Sequence, residues 1–244
     1  MKLNCDLGEF KDNNDAEIMP YIDMANIACG FHGSDALTIK KTVQLAAQHQ
    51  VTIGAHPSYP DSENFGRQSM SLSSDDLIAV IQYQVGALLA LCYVENTQVR
   101  YVKPHGALYN DMMKSTAIFT DICRAIAQLN QNSSQPLALM IQAVKNTSAF
   151  EKIATEYDIA LYFEAFADRA YQDNGLLVSR SEEGAVLHDH QAVIERCKKL
   201  INNEPLLSIN QKPLEFHLDA LCVHGDTPNA LAMLKALRET INAS

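Results

Sequence analysis

The stretch Val102-Lys103-Pro104-His105-Gly106-Ala107-Leu108-Tyr109-Asn110 connects a short apolar run to a long helical pattern. Its proline and glycine are typical of a tight turn between a strand and a helix. A lysine, a histidine, a tyrosine and an asparagine lie together here, a density of reactive side chains that no other stretch of this length matches. The rest of the chain repeats the arrangement, with apolar runs followed by loops that carry histidine, aspartate, arginine or glutamate.

Seven short apolar runs alternate with helical patterns along the chain. This order predicts parallel strands joined by crossover helices. We find no linker, low-complexity segment or shift in composition, so residues 1–244 are predicted to form a single domain. The predicted strands cover residues 2–6, 24–29, 51–55, 99–103, 137–141, 159–163 and 218–223.

The positions of the polar motifs favour a barrel over an open sheet. Such motifs follow six of the seven predicted strands, and only the fifth, which ends near Gln142, lacks one. An open doubly wound sheet concentrates its ligand site at one switch point, whereas a barrel places all strand ends around one mouth. The sequence therefore predicts an α/β fold, a seven-stranded irregular (β/α) TIM-like barrel. Because barrels of this kind usually have eight strands, we expect a gap or an irregular segment, with residues 172–189 as the candidate.

Composition narrows the class of protein. The net charge of −10 argues against a nucleic-acid partner, because such a partner requires a basic surface. The six cysteines include no CxxC pair and several fall within apolar patterns, as expected for buried thiols in a reducing compartment. The N-terminus has no apolar signal region, and no apolar run approaches the roughly 18 residues of a membrane span. We therefore expect a cytoplasmic protein without a membrane partner.

Chemically capable side chains follow the predicted strands. Four of the eight histidines do so, whereas the other four scatter over helices and loops. A single histidine at a strand end commonly only stabilises a loop, but four together indicate a functional site at the barrel mouth. The residues predicted to converge there are Asp6, Glu9, His32, Asp35, His56, Arg67, Lys103, His105, Tyr109, Glu164, Asp168, Arg169, His224 and Asp226.

Aspartate and histidine side chains from separate strands can hold a divalent cation that keeps an open coordination position. The candidate metal ligands are Asp6, His56 and His105, and further candidates are His32 and His224. Neither HxH nor HExxH spacing occurs in the sequence. A hydrogen-bonded histidine cluster that binds a substrate carboxylate or moves protons is therefore the alternative.

Basic side chains in these loops suit an anionic substrate. Lys103, Arg67, Arg169 and Arg180 have the chemistry to bind a carboxylate or a phosphate. Alternatively each pairs with a neighbouring acid, for example Arg169 with Asp168. Neither GxxxxGK[ST] nor GxGxxG occurs, so any ATP is not held by a Walker loop of this chain, and GxSxG is absent as well.

Several long motifs occur in order between residue 3 and about residue 238. They are Asn4-Cys5-Asp6-Leu7-Gly8-Glu9, Ala25-Asn26-Ile27-Ala28-Cys29-Gly30-Phe31-His32, Ile53-Gly54-Ala55-His56-Pro57, Phe65-Gly66-Arg67, Gln84-Val85-Gly86-Ala87-Leu88, and residues 102–110, 164–169 and 222–226. Together they closely resemble the LamB/YcsF family. The resemblance implies a seven-stranded β/α barrel of the glycoside hydrolase/deacetylase type, akin to sugar and peptidoglycan deacetylases.

The resemblance also implies a reaction and partners. The reaction is that of a prokaryotic ATP-dependent 5-oxoprolinase, which opens the lactam of 5-oxo-L-proline to L-glutamate while ATP becomes ADP and phosphate. This chain would be the A subunit of that enzyme, with the B and C subunits as partners and ATP with Mg²⁺ as the cosubstrate. Which of the three binds ATP, whether a transition metal is bound, and whether copies of this chain associate stay open.

Under this hypothesis the predicted catalytic residues lie on three strand ends. Lys103 would stabilise the transferring phosphoryl group, and His105 or His56 would act as base for the attacking water. Asp6 would hold Mg²⁺, as would Glu9. Replacement of Lys103 or His105 by alanine is expected to abolish turnover while the fold survives.

Other residues are predicted to bind the substrate. Arg169 or Arg67 would suit the substrate carboxylate, and Asp226 is a further candidate for Mg²⁺. The full set of predicted substrate-binding residues is Glu9, His32, Arg67, Tyr109, Glu164, Asp168, Arg169, His224 and Asp226.

Two other functions remain as alternatives. One is a metal-dependent deacetylase-type hydrolase that acts on a sugar or an amide without ATP. The other is a non-catalytic subunit that presents substrate to its partners. Two stretches depart from the family pattern: an abbreviated Phe10-Lys11-Asp12, and Gln142-Ala143-Val144 in place of a Gly-Ser pair. A changed substrate preference would show at these positions.

Overall fold

A computed structural model describes residues 1–11, 14–131, 133–180, 182–187, 189–202, 204–223 and 230–243, without the side chains of residues 190 and 243. Nine strands lie within these residues. In chain order they are β1 (Lys2–Leu7), β2 (Met24–Ala28), β3 (Thr52–His56), β4 (Val99–Val102), β5 (Ala138–Gln142), β6 (Leu161–Phe166), β7 (Leu206–Leu207), β8 (Pro213–Leu214) and β9 (Ala220–Cys222).

Seven parallel strands close into a barrel in the order β1-β2-β3-β4-β5-β6-β9. The last strand closes the barrel because it pairs on both sides, so that Ala220 lies opposite Glu164 of β6 and Lys2 of β1. The predicted seven-stranded barrel is therefore confirmed. The expectation of a gap or an irregular segment is met by the second of these, because the described residues of 172–189 form no helix or strand of the barrel, while the seven strands close without a gap.

Helices follow the strands along the chain, and the last of them comes after β9. They are α1 (Asp15–Ile18), α2 (Ala36–Gln48), α3 (Ser74–Val94), α4 (Gly106–Met112), α5 (Thr116–Asn130), α6 (Ser148–Glu156), α7 (His190–Ile201) and α8 (Ala230–Ala243). The sequence analysis missed α1, α4 and the antiparallel β7–β8 pair. Each is too short for a hydrophobic period to show.

The barrel interior holds a buried polar network as well as apolar side chains. Asn26 Nδ2 donates to Asn4 Oδ1 at 2.8 Å and to Asp6 Oδ1 at 2.7 Å, and Asn4 Nδ2 donates to Glu164 Oε2 at 3.1 Å. The Tyr101 hydroxyl donates to Asn26 Oδ1 at 2.5 Å. Buried polar groups need such partners, so the network orients the acids that face the mouth.

Gly54 on β3 leaves the space that the Tyr101 ring occupies inside the barrel. A Cβ atom at residue 54 would lie 2.2 Å from two carbons of that ring, closer than any real contact. The glycine is therefore required by packing. It allows Tyr101 to reach Asn26 and complete the polar network.

One described helix, α3, is long and apolar enough to cross a membrane by length and composition alone. Its packing is that of a barrel helix, since Leu77, Ile81, Val85 and Leu88 are buried against the strands and neighbouring helices. Two glutamines also lie on it, and the buried Gln84 donates to the Ser58 carbonyl oxygen at 2.8 Å. The helix therefore belongs to the barrel wall.

We predict that Gly54→Ala destabilises the chain by about 3 kcal/mol, because the added methyl overlaps the Tyr101 ring and overpacks the interior. Urea unfolding measures the change. In a Tyr101→Leu background the same substitution should cost much less, since the ring that it meets is gone. Equal costs in both backgrounds would show that the ring is not the constraint.

Candidate active site

Two histidines at the barrel mouth are oriented by backbone carbonyls. His56, the last residue of β3, has Nδ1 at 2.6 Å from the Lys103 carbonyl oxygen, and His105 has Nε2 at 2.9 Å from that of Phe65. A carbonyl oxygen only accepts, so His56 carries a proton on Nδ1 and His105 carries one on Nε2. The other nitrogens, His56 Nε2 and His105 Nδ1, point at each other across 3.0 Å.

The loop after β3 and the turn into α4 meet closely enough to fix His105. Gly106 has φ +58, and a Cβ atom on it would lie 2.5 Å from the Gly66 carbonyl oxygen. That oxygen accepts from the Ala107 backbone nitrogen at 2.9 Å. The glycine in the opening motif therefore allows the Phe65 carbonyl to reach the His105 ring.

Glu9 joins the histidine pair from the loop after β1. Its Oε1 lies 3.2 Å from His105 Nδ1, 4.0 Å from His56 Nε2 and 3.1 Å from His32 Nε2. The His32 ring stacks on the His105 ring with centroids 3.8 Å apart. All four side chains are buried. The Glu9 carboxylate therefore lies against three imidazoles and can accept a hydrogen bond from His32 Nε2.

Burial shifts the protonation of this cluster. It lowers the pKa of His32 to about 4 and lowers the pKa of His105, although Glu9 opposes both shifts. Burial alone would raise the pKa of Glu9, but His105 and His32 outweigh it and hold that pKa below its ordinary value. The site therefore contains an ionised Glu9 beside neutral His32 and His105 near neutral pH.

With protons on His56 Nδ1 and His105 Nε2, the two remaining nitrogens would present lone pairs to each other at 3.0 Å. That contact repels unless a proton or a metal cation lies between the nitrogens. Glu9 Oε1 is close to both, and Asp6 Oδ2 lies 3.5 Å from His56 Nε2. The ligand atoms of Glu9, His56 and His105 all lie within 4.8 Å of one another. Imidazole and carboxylate donors suit a divalent transition metal, so these residues fit such an ion.

Lys103 lies beside this cluster in the barrel interior. Its Nζ is 3.0 Å from Asp6 Oδ1 and 3.1 Å from Glu164 Oε2. Burial alone would lower the pKa of Lys103, but neighbours that include Asp6 and Glu164 raise it well above its ordinary value. The Lys103 ammonium is therefore charged and bridges carboxylates from β1 and β6.

Three buried polar atoms in this region have no hydrogen-bond partner in the described part of the chain. They are His32 Nδ1, the Tyr109 hydroxyl on α4 and Glu164 Oε1 on β6. Burial, reinforced by the Glu164 carboxylate, raises the pKa of Tyr109 well above its ordinary value. Tyr109 also lines the mouth cavity, so its phenol is a neutral donor at the cavity wall.

The mouth opens as a cavity of about 320 Å³. Acids and histidines line its floor, whereas basic side chains line its walls: Arg67, Lys114, Arg169 and Arg180. Part of the 172–189 segment covers it, from Leu176 to Arg180. This basic rim on an acidic protein suits an anionic substrate.

Arg169 holds the covering segment in place. Its Nε donates to the Ala185 carbonyl oxygen at 3.2 Å and its Nη2 to the Val178 carbonyl oxygen at 2.6 Å. Burial and the neighbouring Arg180 lower the pKa of Arg169 to about 10, which still leaves it charged at neutral pH. Two of its donors therefore serve the backbone, while the side chain still lines the cavity.

Most of the predicted residues meet at this mouth. One buried cluster contains Asp6, Glu9, His32, His56, Lys103, His105 and Glu164. The cavity above this cluster is lined by Arg67, Tyr109 and Arg169. Asp168 is buried two residues after the end of β6. Asp35 is set apart, because it caps α2 by accepting from the Thr38 backbone nitrogen at 2.9 Å. His224 and Asp226 lie outside the described residues.

Some residues of the site were missed in the sequence. Asn4 and Asn26 were overlooked, although Asn4 lies two residues before Asp6 on one strand and so faces the same side. Gln142 was noted only as a departure from the family pattern, and here its Nε2 donates to the Gly175 carbonyl oxygen at 2.6 Å and it lines the cavity. The other departure places Phe10 half-exposed and stacked on Phe65, with centroids 5.0 Å apart.

The sequence model of the LamB/YcsF family matches residues 1–244. The chain belongs to the LamB/YcsF family. The resemblance carried by the sequence motifs is thus confirmed.

Relatives of this LamB/YcsF chain match nearly its full length. The 5-oxoprolinase A subunit from Vibrio parahaemolyticus is 44% identical over 245 residues, covering 99% of this chain and 95% of the relative. The corresponding A subunit from Pseudomonas fluorescens is 45% identical over 244 residues, covering 98% and 96%. The crystal structure of a lactam utilization protein from Thermus thermophilus matches with a TM-score of 0.88 and 32% identity, covering 100% of this chain and 96% of that one.

We predict that His32 makes the stability of the chain depend on pH. Its pKa is about 4 when folded and about 6.5 when unfolded, so the unfolded state binds more protons between these values. The stabilisation is complete above about pH 6.5 and is lost as the pH falls towards about 4, by up to about 1.4 kcal/mol per pH unit.

Urea unfolding of the wild type and His32→Asn across this pH range measures that dependence. In His32→Asn the free energy of unfolding should depend less steeply on pH, because the variant lacks the proton that His32 takes up on unfolding. The matched control is His49→Asn, at an exposed position, which should keep the wild-type slope. A His32→Asn profile parallel to that of the wild type would contradict the prediction.

Proposed function

We propose that this chain is the A subunit of an ATP-dependent 5-oxoprolinase and opens the lactam of 5-oxo-L-proline to L-glutamate together with its partners, the B and C subunits. Family membership supports the proposal, as do the full-length relatives that are 5-oxoprolinase A subunits by name. The observation that carries it is the buried group of Glu9, His56 and His105 beside Lys103, under a basic rim.

The rim and the floor suit the two ends of the substrate. The carboxylate of 5-oxoproline would meet the basic wall, where Arg67 and Arg180 lie. The lactam would then point towards the floor, next to the Tyr109 phenol. A neutral phenol donates a hydrogen bond to a carbonyl oxygen, so Tyr109 would orient the amide.

A lactam resists water because amide resonance makes its carbonyl a poor electrophile. ATP as cosubstrate would overcome this by phosphorylating the amide oxygen. The basic side chains of the rim, which include Lys114, supply charges for phosphate oxygens. As water attacks the activated carbon, His56 or His105 would take its proton, with Glu9 stabilising the resulting imidazolium. The imidazolium would give that proton to the ring nitrogen as the C–N bond breaks, and a second water would hydrolyse the remaining acyl phosphate to glutamate and phosphate.

A second candidate function follows from the facing lone pairs of His56 and His105. These residues, with Glu9 and Asp6, would hold a divalent metal, which when bound lowers the pKa of water. Hydrolysis of an amide or an acetylated sugar without ATP would then be the activity. The negative surplus of the site favours a cation, since the acids Asp6, Glu9 and Glu164 outnumber the one buried lysine among the described residues of the mouth.

We predict that His105→Ala lowers 5-oxoproline turnover by the complete complex by about 100-fold or more, because the variant lacks one of the two facing imidazoles that act on the attacking water. Turnover is measured as glutamate formed with ATP present. The matched control His49→Ala replaces an exposed histidine and should keep wild-type turnover. Near wild-type turnover in His105→Ala, with the fold intact by circular dichroism, would rule out the assignment.

Lys103→Ala is a less informative variant than the sequence suggested. Removal of the ammonium leaves Asp6 and Glu164 buried without their cation, which typically costs about 3–5 kcal/mol. The expectation that the fold survives this change is therefore revised, and lost activity would not separate catalysis from stability.

Metal analysis separates the two functions. For the second, the purified chain should contain about one divalent metal per chain that His105→Ala loses, and chelation should abolish ATP-independent hydrolysis. For the first, glutamate formation should require ATP and the partner subunits. A third outcome would indicate a subunit that only presents substrate. In that case calorimetry would show that the chain binds 5-oxoproline, and complexes with substitutions at the mouth would keep wild-type turnover.

A further inference from the structure

The side chain of Gln142 spans the wall of the mouth cavity, from the end of a strand to the covering segment. Gln142 is the last residue of β5 and lies opposite Glu164 in the register of β5 and β6. Its Nε2 donates to the carbonyl oxygen of Gly175, in the covering segment, at 2.6 Å. The buried side chain therefore runs alongside the space that a substrate would fill.

This contact fixes the direction in which the Gln142 amide points. A carbonyl oxygen only accepts hydrogen bonds, so the amide atom that faces Gly175 is the nitrogen, and Oε1 is left for another partner. In the described part of the chain Oε1 receives no hydrogen bond, yet it is not enclosed as the unpartnered buried atoms are. Gln142 therefore presents an oriented hydrogen-bond acceptor to the cavity.

The Gly175 carbonyl that anchors Gln142 is itself held in place. Gly175 has φ +89, in the left-handed region, and a Cβ atom on it would lie 3.1 Å from the Phe216 ring and 3.2 Å from the Lys145 backbone nitrogen. Its own backbone nitrogen donates to the Gln172 carbonyl oxygen at 3.0 Å. The acceptor on Gln142 is therefore positioned before any substrate binds.

A lactam with an unsubstituted nitrogen has one donor and one acceptor, the ring N–H and the carbonyl oxygen. The cavity wall offers the complement, because the Tyr109 phenol lacks a partner in the described chain and donates, while Gln142 Oε1 accepts. Glu164 Oε1 also lacks a donor there, but Glu164 is fully buried and is not among the described residues that line the cavity. Gln142 is thus the acceptor that a bound lactam can reach.

The order of groups in 5-oxoproline matches this placement. The ring nitrogen lies between the carbon that bears the carboxylate and the carbonyl carbon. With the carboxylate at the basic rim and the carbonyl at the floor, the N–H would lie at the wall between them. Gln142 occupies that wall, since it joins the strand end to the covering segment.

We propose that Gln142 Oε1 accepts the hydrogen bond of the lactam N–H, so that the chain selects lactams with an unsubstituted nitrogen. The inference rests on the proposed 5-oxoprolinase function and adds a substrate-contacting residue to it. It also gives a task to one of the two stretches in which this chain departs from the family pattern.

The same contact strengthens as the amide oxygen is phosphorylated. The oxygen forms a bond to the γ-phosphorus of ATP while the bond from that phosphorus to ADP breaks, and the nitrogen lone pair shifts towards the carbonyl carbon. The nitrogen keeps its proton and gains positive charge, so its N–H becomes a stronger donor. An acceptor fixed in advance stabilises that charge more in the transition state than in the ground state.

Turnover by the complete complex on 5-oxoproline and on its N-methyl derivative, which has no N–H, tests the contact. The wild type should prefer 5-oxoproline by about 100-fold or more in kcat/KM, because the derivative leaves the acceptor unpaired. Gln142→Met is close to the wild type in size, and it should lower kcat for 5-oxoproline by about 10-fold or more. It should also narrow the preference by about 10-fold, since only the hydrogen bond is lost from it.

Gln172→Met is the matched control. Gln172 also lines the cavity, and its Nε2 also donates to a carbonyl oxygen of the covering segment, that of Leu177, at 3.5 Å. This variant should keep the wild-type preference between the two substrates. If Gln142→Met slows both substrates equally, or if the wild type does not discriminate between them, Gln142 only anchors the covering segment and the inference is overturned. A wild-type complex that forms no glutamate from 5-oxoproline and ATP would instead overturn the proposed function, and this inference with it.

A measurement on the wild type alone covers the case in which Gln142→Met does not fold. The cyclopentanone analogue of 5-oxoproline keeps the carboxylate and the carbonyl, but a CH₂ group replaces the lactam N–H. Calorimetry on the complete complex without ATP should show that it binds about 10-fold or more weakly than 5-oxoproline, because Oε1 is left without a donor. Equal affinities would rule out the contact.

Discussion

The Lys103 ammonium group inside the barrel is the interaction on which the mouth depends. It lies 3.0 Å from a carboxylate oxygen of Asp6 and 3.1 Å from one of Glu164. Burial of a charged group costs free energy that a partner of opposite charge offsets, so each side of this pairing stabilises the other. The pairing therefore links the carboxyl ends of β1, β4 and β6. The backbone of the same residue orients His56, because the Lys103 carbonyl oxygen lies 2.6 Å from His56 Nδ1.

The floor of the cavity places one lysine, Lys103, among three acids, Asp6, Glu9 and Glu164, so the acids outnumber the cation. Glu9 faces His105 and His32, and the facing nitrogens of His56 and His105 need a proton or a cation between them. The burial that lowers the pKa of His105 makes this need stronger near neutral pH. A basic rim above such a floor draws in an anion and presents it to a group that can move a proton. The lactam chemistry proposed for the chain uses both features.

Much of this arrangement was predictable from the sequence, and the features that the sequence did not predict have physical causes. Alternating patterns predicted the barrel, since parallel strands bring their carboxyl ends to one mouth, and this placed His56, His105 and Asp6 together. Sequence could not show that Glu9 rather than Asp6 lies against three imidazoles, because that depends on the course of a loop. It also could not show that Arg169 would bond to backbone carbonyls of the covering segment.

The central claim is that backbone carbonyls orient His56 and His105 so that their lone pairs face each other. Long-range proton–nitrogen NMR of the histidine-labelled chain measures the protonation of each ring nitrogen directly. The account predicts a proton on Nδ1 of His56 and on Nε2 of His105, with a shared proton or a metal at the remaining nitrogens. Protons on His56 Nε2 and His105 Nδ1 instead, with the carbonyl-facing nitrogens bare, would contradict it.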